Sequence, residues 1–352
     1  MKEMVPLLIN LVKTPSETGR EQTLSKMIFH RLETLAHFEC QFMGLSQVYQ
    51  TKRNPNKPTL GFFGHLDTVK NQQDKEPYIE GDRLYGCGAS DMKGGLAVMI
   101  RLMESFKEGN CDYNLVFVYY DREEGAYLDN GLEPVMAKWA DELRQIDLAF
   151  ALEPTDNKVQ MGCMGGIHVL VHFLGKSAHS ARPWQGENAL HKAWPVLKRL
   201  SELERQEVDF GGLKFYEVIN ATQASAMNPR NSIPGKFSLN INYRFAPGKS
   251  MEEAKEELRA LIGEGPELDF VDQAPSAPVL DKNPMFDRFQ ALHHLEVESK
   301  QAWTDIARLA HYGISGINLG PGRTDQAHQK NEWISLTDLE KGLKLYKQFL
   351  FK

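Results

Sequence analysis

The sequence predicts an α/β protein in which a doubly wound, mostly parallel sheet forms the larger domain and a smaller α+β domain is inserted into it. Three apolar segments, 59–64, 115–120 and 147–152, have the length and composition of buried strands and alternate with segments of helical period. Each segment ends in acidic or imidazole side chains. Because ligands bind at the carboxyl ends of the strands in open α/β sheets, this pattern also predicts where the functional site lies.

The first part of the chain supplies the other elements of this domain. Residues 4–13 predict a short amphipathic helix, and residues 18–21 (TGRE) fit a capping box that opens a second helix. Two short strands are expected at 38–43 and 47–52, before the first buried strand. Residues 91–107 carry a wide apolar face of helical period, which predicts a helix packed on the sheet.

The pattern changes after residue 162 and returns to its first form after residue 275. We predict that residues 1–165 and 276–352 form one domain and that residues 166–275 form an inserted domain of ferredoxin-like type. The insert has the order strand, helix, strand, strand, helix, strand, at residues 166–174, 187–203, 216–227, 236–245, 251–262 and 268–271.

Composition excludes several classes of function. The formal net charge is −6 and no run of basic residues is present, so a nucleic-acid partner is not expected. The four cysteines are scattered, as is typical of a protein of the reducing cytoplasm. The N-terminal segment lacks a signal-peptide pattern, and no run of about 18 apolar residues predicts a membrane span.

The polar residues at the strand ends and in two Gly-rich loops form a candidate metal site. Two imidazoles and several carboxylates without cysteine favour Zn²⁺ or a similar divalent ion at a catalytic site. Five ligands are too many for one open zinc site, but they suit two ions, roughly 3.5–4 Å apart, that share a bridging carboxylate. The candidates are seven residues, of which two are expected to support the five ligands and not to bind metal themselves: His65, Asp67, Asp91, Glu123, Glu124, Glu153 and His328.

The charges and the spacing of these residues agree with two ions. The four positive charges of two Zn²⁺ are balanced by Asp91, Glu124, Glu153 and a bridging hydroxide. Adjacent glutamates diverge on an extended or turning backbone, so one member of the Glu123–Glu124 pair can bind metal while the other serves as general base. Asp67 can accept the second N–H of the His65 imidazole and fix its tautomer.

Several motifs resemble those of the dinuclear-zinc amidohydrolase family that includes succinyl-diaminopimelate desuccinylase, aminoacylase and glutamate carboxypeptidase. The resemblance covers nearly the whole chain, and the AHSARPW and GENA segments of the insert are most similar to the desuccinylase branch. The motifs are GHLDTV, GCGASDMKGG, DREEG, ALEPT and AHQKNEWI, with GKSAHSARPWQGENALH and NSIPGKFSLNINYRF in the insert.

The resemblance assigns a role to each metal-binding candidate. It implies that His65 and Glu153 hold one Zn²⁺, that Glu124 and His328 hold the other, and that Asp91 bridges them. Co²⁺ is expected to substitute for zinc. The same resemblance implies a cis peptide bond after Asp91.

Further roles follow from the same likeness. Glu123 matches the general base of the family, and His179 matches a lid histidine that reaches the active site of the partner subunit and steadies the oxyanion. Asn231 and Arg244 match residues that contact the carboxylate of the substrate. The inserted domain is therefore expected to act as a lid and to hold a homodimer together.

These observations predict metal-dependent hydrolysis of an N-acyl amide next to a free carboxylate. The expected reaction is desuccinylation of N-succinyl-L,L-diaminopimelate, a step of lysine biosynthesis. The alternatives are an aminoacylase, an acetylornithine-type deacylase, a dipeptidase or a carboxypeptidase, and, in another class, a metal-binding protein without turnover. Three features depart from the family pattern: Cys87 replaces a frequent arginine, Arg122 replaces an acidic residue, and the stretch GPGRTDQAH differs from the usual sequence of the desuccinylases.

Overall fold

The structure, a computed structural model, describes residues 3–352, and these residues form two compact units. The predicted insert, residues 166–275, lies within the smaller unit. The larger unit comprises the chain up to Gly162 together with Leu280–Glu298 and Thr304–Lys352, and the smaller unit comprises Cys163–Val279 and Ser299–Trp303.

The described residues form eleven α-helices and eighteen strands, and the elements between Gly165 and Ala274 belong to the smaller unit. The helices are α1 (Met4–Lys13), α2 (Gln22–Leu32), α3 (Gly94–Ser105), α4 (Leu132–Lys138), α5 (Ala140–Leu143), α6 (Ala189–Lys192), α7 (Trp194–Glu202), α8 (Met251–Ile262), α9 (Pro284–His293), α10 (Ile306–His311) and α11 (Leu336–Leu350). The strands are β1 (Phe38–Met43), β2 (Ser46–Thr51), β3 (Thr59–His65), β4 (Tyr78–Glu80), β5 (Arg83–Tyr85), β6 (Asn114–Tyr120), β7 (Leu148–Ala151), β8 (Val159–Met161), β9 (Gly165–Leu174), β10 (Ala178–His179), β11 (Gln206–Phe210), β12 (Leu213–Ser225), β13 (Ser232–Ile233), β14 (Lys236–Phe245), β15 (Glu267–Ala274), β16 (Val297–Ser299), β17 (Gly316–Asn318) and β18 (Trp333–Ser335).

The main sheet of the larger unit has the strand order β1-β2-β6-β3-β7-β17-β8-β16. Its central strands β6, β3, β7 and β17 run parallel to one another, whereas β2 pairs with β6 and β8 pairs with β17 in antiparallel fashion. The α/β fold is thus confirmed, with a mixed sheet in which the four central strands are parallel and the flanking pairs β1–β2, β2–β6 and β17–β8 are antiparallel. The carboxyl ends of β3, β6 and β7 meet at one edge of this sheet.

The core of the larger unit is built on aromatic residues from adjacent strands. Phe62 of β3 stacks on Phe117 of β6 and on Phe150 of β7, with ring centroids 4.8 and 5.5 Å apart. Tyr346 of α11 meets Phe62 and Phe150 edge-on. Such contacts add about 0.5–1.5 kcal/mol each beyond the burial of their surface, so they hold the three parallel strands in register.

The smaller unit contains a five-stranded antiparallel sheet of order β11-β12-β14-β9-β15. Without the added hairpin strand β11, this is the arrangement that the ferredoxin-like motif predicts. Its apolar face packs against α6, α7 and α8, with Val169, Ile241 and Leu258 fully buried. Helix α8 begins with a capping box in which the Ser250 hydroxyl accepts the N–H of Glu253.

Three local predictions differ from the structure. The TGRE segment forms no capping box, because Glu21 accepts the N–H of Gly19 while the Thr18 hydroxyl donates to Asp67. The helix expected at 91–107 starts at Gly94, since Asp91 lies in a π-helical turn with non-helical backbone angles. The helix expected at 187–203 is divided into α6 and α7.

No helix among residues 3–352 combines the length and hydrophobicity that crossing a membrane requires.

Candidate metal centre

The parallel strands carry the polar candidates to one edge of the sheet. His65 is the last residue of β3, and Glu123 and Glu124 follow the end of β6. Glu153 follows β7, the neighbour of β3 on its other side. His65 and Glu153 are buried, whereas Glu123 and Glu124 are half-buried. The sheet topology therefore brings together residues that are far apart in the chain.

Asp91 enters the same site from a tight turn between β5 and α3. The peptide bond between Asp91 and Met92 is cis, as the resemblance implied. Gly88 begins the turn with a φ of 76°, a left-handed conformation that glycine adopts at little cost. A side chain at position 95 would meet the backbone oxygen of Leu152 at 2.4 Å, so Gly95 allows the first turn of α3 to approach the end of β7.

The two oxygens of Asp91 face two different imidazoles. Oδ1 lies 3.2 Å from Nε2 of His65, and Oδ2 lies 3.7 Å from Nε2 of His328. Nε2 of His65 is also 4.0 Å from Oε1 of Glu153, and Nε2 of His328 is 2.8 Å from Oε2 of Glu124. Asp91 is thus common to two groups of potential ligands, each with one imidazole and one further carboxylate.

Asp67 connects His65 with the turn that carries the glutamate pair. Its Oδ1 accepts the backbone N–H of Glu123 and its Oδ2 accepts that of Glu124, both at 2.9 Å. The Thr18 hydroxyl donates to the same Oδ2 at 3.0 Å. Nδ1 of His65 lies 3.0 Å from the backbone oxygen of Asp67 and 3.5 Å from Oδ1, so the backbone oxygen is the nearer partner of the imidazole. Asp67 is fully buried, so these contacts position both His65 and the glutamates.

Burial and charge concentration shift the pKa values of these groups. Burial raises the pKa of Glu123 well above its usual range, and the charges of Glu153 and Glu124 add to this effect against the opposing influence of His65. Burial also raises the pKa of Glu124, with Asp91 as the next cause. The concentration of carboxylates is therefore costly unless positive charge is held among them.

The pKa values of the two imidazoles are raised as well, and for an imidazole a raised pKa favours the charged form. Burial lowers the pKa of His65, but its hydrogen bonds with Asp67 and Asp91 outweigh burial and raise the pKa well above the ordinary value. The contact with Glu124 raises the pKa of His328 to about 9. Burial raises the pKa of Asp67, yet the His65 contact and the backbone N–H donors leave it lowered overall. The site thus favours added positive charge at both imidazoles.

The donor chemistry fits divalent cations. Three groups of residues place imidazole nitrogens and carboxylate oxygens within 4.8 Å of one another, and all the donors are nitrogen or oxygen atoms. Imidazole and carboxylate ligands suit zinc and related first-row ions. The three groups are His65 with Glu123 and Glu124, His65 with Asp91 and Glu153, and Asp91 with Glu124 and His328.

The other predicted site residues belong to the smaller unit. His179 is exposed on the short strand β10, where its Nδ1 accepts the N–H of Ala181 at 3.1 Å. Asn231 is also exposed, and its backbone oxygen accepts the N–H of Ser180, next to His179. Arg244 is half-buried on β14 and donates from Nε to Asn242. Their predicted roles toward substrate stay predictions.

Two residues that touch the site were not identified from the sequence. Thr18 was interpreted as a helix cap, although its hydroxyl contacts Asp67. Glu332 lies in the AHQKNEWI segment, four positions after His328, and its carboxylate accepts backbone N–H groups of the Asp91 turn. The short spacing from His328 was the available signal for Glu332; no local pattern indicated the contact of Thr18.

The fold and the donor set define an α/β protein with a candidate centre for divalent ions at the edge of its main sheet. Residues 61–352 match the model of peptidase family M20/M25/M40. The chain belongs to this family, and its resemblance to the dinuclear amidohydrolases is confirmed at that level.

Curated relatives extend the match over almost the entire chain. A Mycobacterium tuberculosis protein, provisionally named succinyl-diaminopimelate desuccinylase, is 33% identical over 348 residues, which cover 98% of this chain and 97% of that protein. The succinyl-diaminopimelate desuccinylase of Corynebacterium glutamicum is 30% identical over 353 residues, covering 98% and 95%.

Solved structures show the same fold at lower identity. An aminopeptidase PepT from Bacillus cereus superimposes with a TM-score of 0.77 at 19% identity, covering 99% of this chain and 97% of that one. The M20 family metallo-carboxypeptidase Sso-CP2 from Sulfolobus solfataricus gives a TM-score of 0.75 at 17% identity, covering 99% and 98%. At these identities the likeness concerns the fold alone.

Proposed function

We propose that this chain is a dinuclear zinc amidohydrolase that removes the succinyl group from N-succinyl-L,L-diaminopimelate. The observation that carries the proposal is the position of Asp91, whose two oxygens face separate imidazole and carboxylate groups with Glu123 beside them. This arrangement suits a carboxylate that bridges two ions. The desuccinylase names of the relatives support the choice of substrate.

The predicted ligand roles are consistent with the geometry. His65 and Glu153 would hold one ion, Glu124 and His328 would hold the other, and Asp91 would contact both. When bound, the two ions would polarise the carbonyl oxygen of the amide and make a water molecule more acidic.

Glu123 is the proposed general base and acid. Its carboxylate would take a proton from the attacking water and pass it to the amide nitrogen as the carbon–nitrogen bond breaks, which yields succinate and a free amine. A carboxylate oxygen of Glu123 lies within 4.8 Å of ligand atoms of His65 and Glu124, which supports a role beside the ions. Asp67 holds the backbone of Glu123 at 2.9 Å and so keeps the carboxylate in place.

The smaller unit is proposed to act as lid and dimerisation domain. Arg244 and Asn231 would contact the carboxylate of the substrate, and His179 would donate to the oxyanion in the active site of the partner subunit. Support for a homodimer comes from β12, because β11 pairs only with residues 213–217. Within the described chain, residues 218–225 pair only with β14, and the outer edge of this segment can receive a second copy.

A substrate and metal screen tests the proposal. Protein stripped with a chelator and reloaded with Zn²⁺ or Co²⁺ is assayed with N-succinyl-diaminopimelate, N-acetyl amino acids, N-acetylornithine and dipeptides. We expect about two ions per chain and the highest kcat/KM with the succinyl substrate. Preference for an N-acetyl compound or a dipeptide would replace the substrate assignment, and a maximum of one ion per chain would refute the dinuclear site.

A further inference from the structure

Glu332 is a buried carboxylate directly beneath the turn that carries Asp91. Its side chain is 2% exposed, although it bears no predicted catalytic role. Oε2 accepts the backbone N–H of Gly88 at 2.7 Å. Oε1 accepts those of Ser90 and Asp91 at 2.7 and 2.9 Å. Both oxygens of Glu332 are therefore used to hold one turn of the backbone.

A second contact, a side-chain hydrogen bond, joins the segment around Glu332 to the turn that carries Asp91. The Ser90 hydroxyl donates to the backbone oxygen of Trp333 at 2.8 Å. His328 lies four positions before Glu332, so this segment also contributes one of the two imidazoles. The turn and the segment are about 240 positions apart in the chain, yet each is held by the other.

We propose that Glu332 is a positioning residue that fixes the carboxylate of Asp91 between His65 and His328, so that both metal-binding groups form together. The inference rests on the proposed dinuclear function. The carboxylate of Glu332 accepts the backbone N–H of Asp91 and so fixes the backbone from which the Asp91 side chain extends. Displacing this turn would move a ligand common to both groups.

A carboxylate suits this position better than an amide. Three N–H groups point at two oxygens, so neither oxygen can be replaced by an N–H₂ group without two donors facing each other. Glu332→Gln changes neither the length nor the shape of the side chain, and it isolates this effect. Loss of such an outer partner of a metal ligand typically lowers metal affinity or activity by about 10–100-fold.

Asp74, in the loop before β4, supplies a control because its carboxylate contacts the segment that carries Glu332. Its carboxylate contacts Asn331 and Lys330, the two residues before Glu332, at 2.9 Å each. It has no contact with the Asp91 turn among the hydrogen bonds of the described residues. Asp74→Asn therefore removes one acidic charge beside the side chains of Asn331 and Lys330 while leaving the contacts of Glu332 in place.

The experiment compares the wild-type chain with Glu332→Gln, Glu332→Asp and Asp74→Asn. Dissociation constants for Zn²⁺ are measured by competition with a chromophoric chelator, and absorption spectra are recorded with Co²⁺. We expect Glu332→Gln to weaken the binding of both ions by about 10–100-fold and to change the Co²⁺ spectrum. kcat should fall with little change in KM, and Asp74→Asn should match the wild type in every measurement.

A purely structural role for Glu332 predicts another result. Unfolding in the presence of chelator shows whether each variant is folded without metal. Normal Zn²⁺ affinity and a normal Co²⁺ spectrum in Glu332→Gln would overturn the inference, even if the variant were less stable. If this variant does not fold, Glu332→Asp decides, because a shorter carboxylate should still weaken metal binding. Failure of the wild type to bind two ions would instead refute the proposed function.

Discussion

Replacing Asp67 with asparagine tests whether the buried carboxylate of Asp67 positions Glu123 and Glu124 through their backbone N–H groups. Asp67 uses Oδ1 for the N–H of Glu123 and Oδ2 for the N–H of Glu124. Asparagine has one oxygen, so one of these backbone donors must face an N–H₂ group. We expect slower turnover together with weaker metal binding, because Glu124 is a predicted ligand and Glu123 is the predicted base.

The contacts of Asp67 give the size of the effect. A buried donor without its acceptor costs about 1–3 kcal/mol. Since about 1.4 kcal/mol corresponds to a tenfold change in an equilibrium constant, the expected loss is about 5- to 150-fold. The Thr18 hydroxyl can rotate to accept from the new N–H₂ group, which places the expectation toward the lower part of this range.

The assay measures kcat, KM and the Zn²⁺ dissociation constant of Asp67→Asn against Asp147→Asn. Asp147 accepts the N–H of Thr59 at 2.7 Å, at the opposite end of the strand that carries His65. Asp147→Asn also removes a carboxylate charge that contacts β3, but at the end opposite His65. Metal binding should therefore stay unchanged in this control. The reasoning is refuted if Asp67→Asn keeps kcat and metal affinity within about twofold of the wild type, a change well below the cost of one unpaired donor.

Three further changes test other parts of the structure. Glu123→Gln should bind metal normally and lose about 10²–10⁴-fold in kcat, as expected for a missing general base, and elemental analysis with steady-state kinetics checks this. Mixing inactive His179→Ala with inactive Glu123→Gln under conditions of subunit exchange should restore activity, since a mixed dimer in which His179 acts in trans has one intact site. Arg308→Met should lower the free energy of unfolding by about 3–5 kcal/mol, measured by urea denaturation, because it leaves the fully buried Asp305 without its ion pair at 3.0 Å.

Each of these predictions has a result that contradicts it. Unchanged kcat in Glu123→Gln would mean that another group takes the proton. Absence of recovery after verified subunit exchange would place His179 in the site of its own chain or outside catalysis. A change in unfolding free energy below about 1 kcal/mol for Arg308→Met would show that Asp305 finds compensation elsewhere, for example from Asn130, which donates to it at 2.9 Å.

The parts of the fold that the sequence predicted well depend on local patterns. The run LGFFGH before Asp67 and the run LVFVYY before the glutamates are largely apolar, which is typical of strands buried on both faces. Because such strands align in parallel, local sequence is sufficient to place their terminal residues at one edge of the sheet. The proximity of His65 to Glu153 follows from this rule.

The parts that were missed depend on contacts between distant segments. Glu332 holds a turn about 240 positions earlier, and its own neighbourhood has no pattern that points to Asp91. Thr18 fits two uses equally well, since a threonine three positions before a glutamate can cap a helix or donate to a distant carboxylate. Arg308 is 1% exposed on α10, although an arginine in a short helix usually lies at the surface.

The position of β17 in the main sheet has a consequence for synthesis of the protein. This strand lies between β7 and β8, although the whole smaller unit separates it from both in sequence. Roughly 150 residues separate the end of β8 from β17, so a ribosome that adds about 5–20 residues per second needs about 8–30 s to cover the interval. Throughout this time the emerging chain exposes an open strand edge beside β7. Nascent chains that stall within the insert are therefore expected to recruit chaperones or to aggregate through this edge.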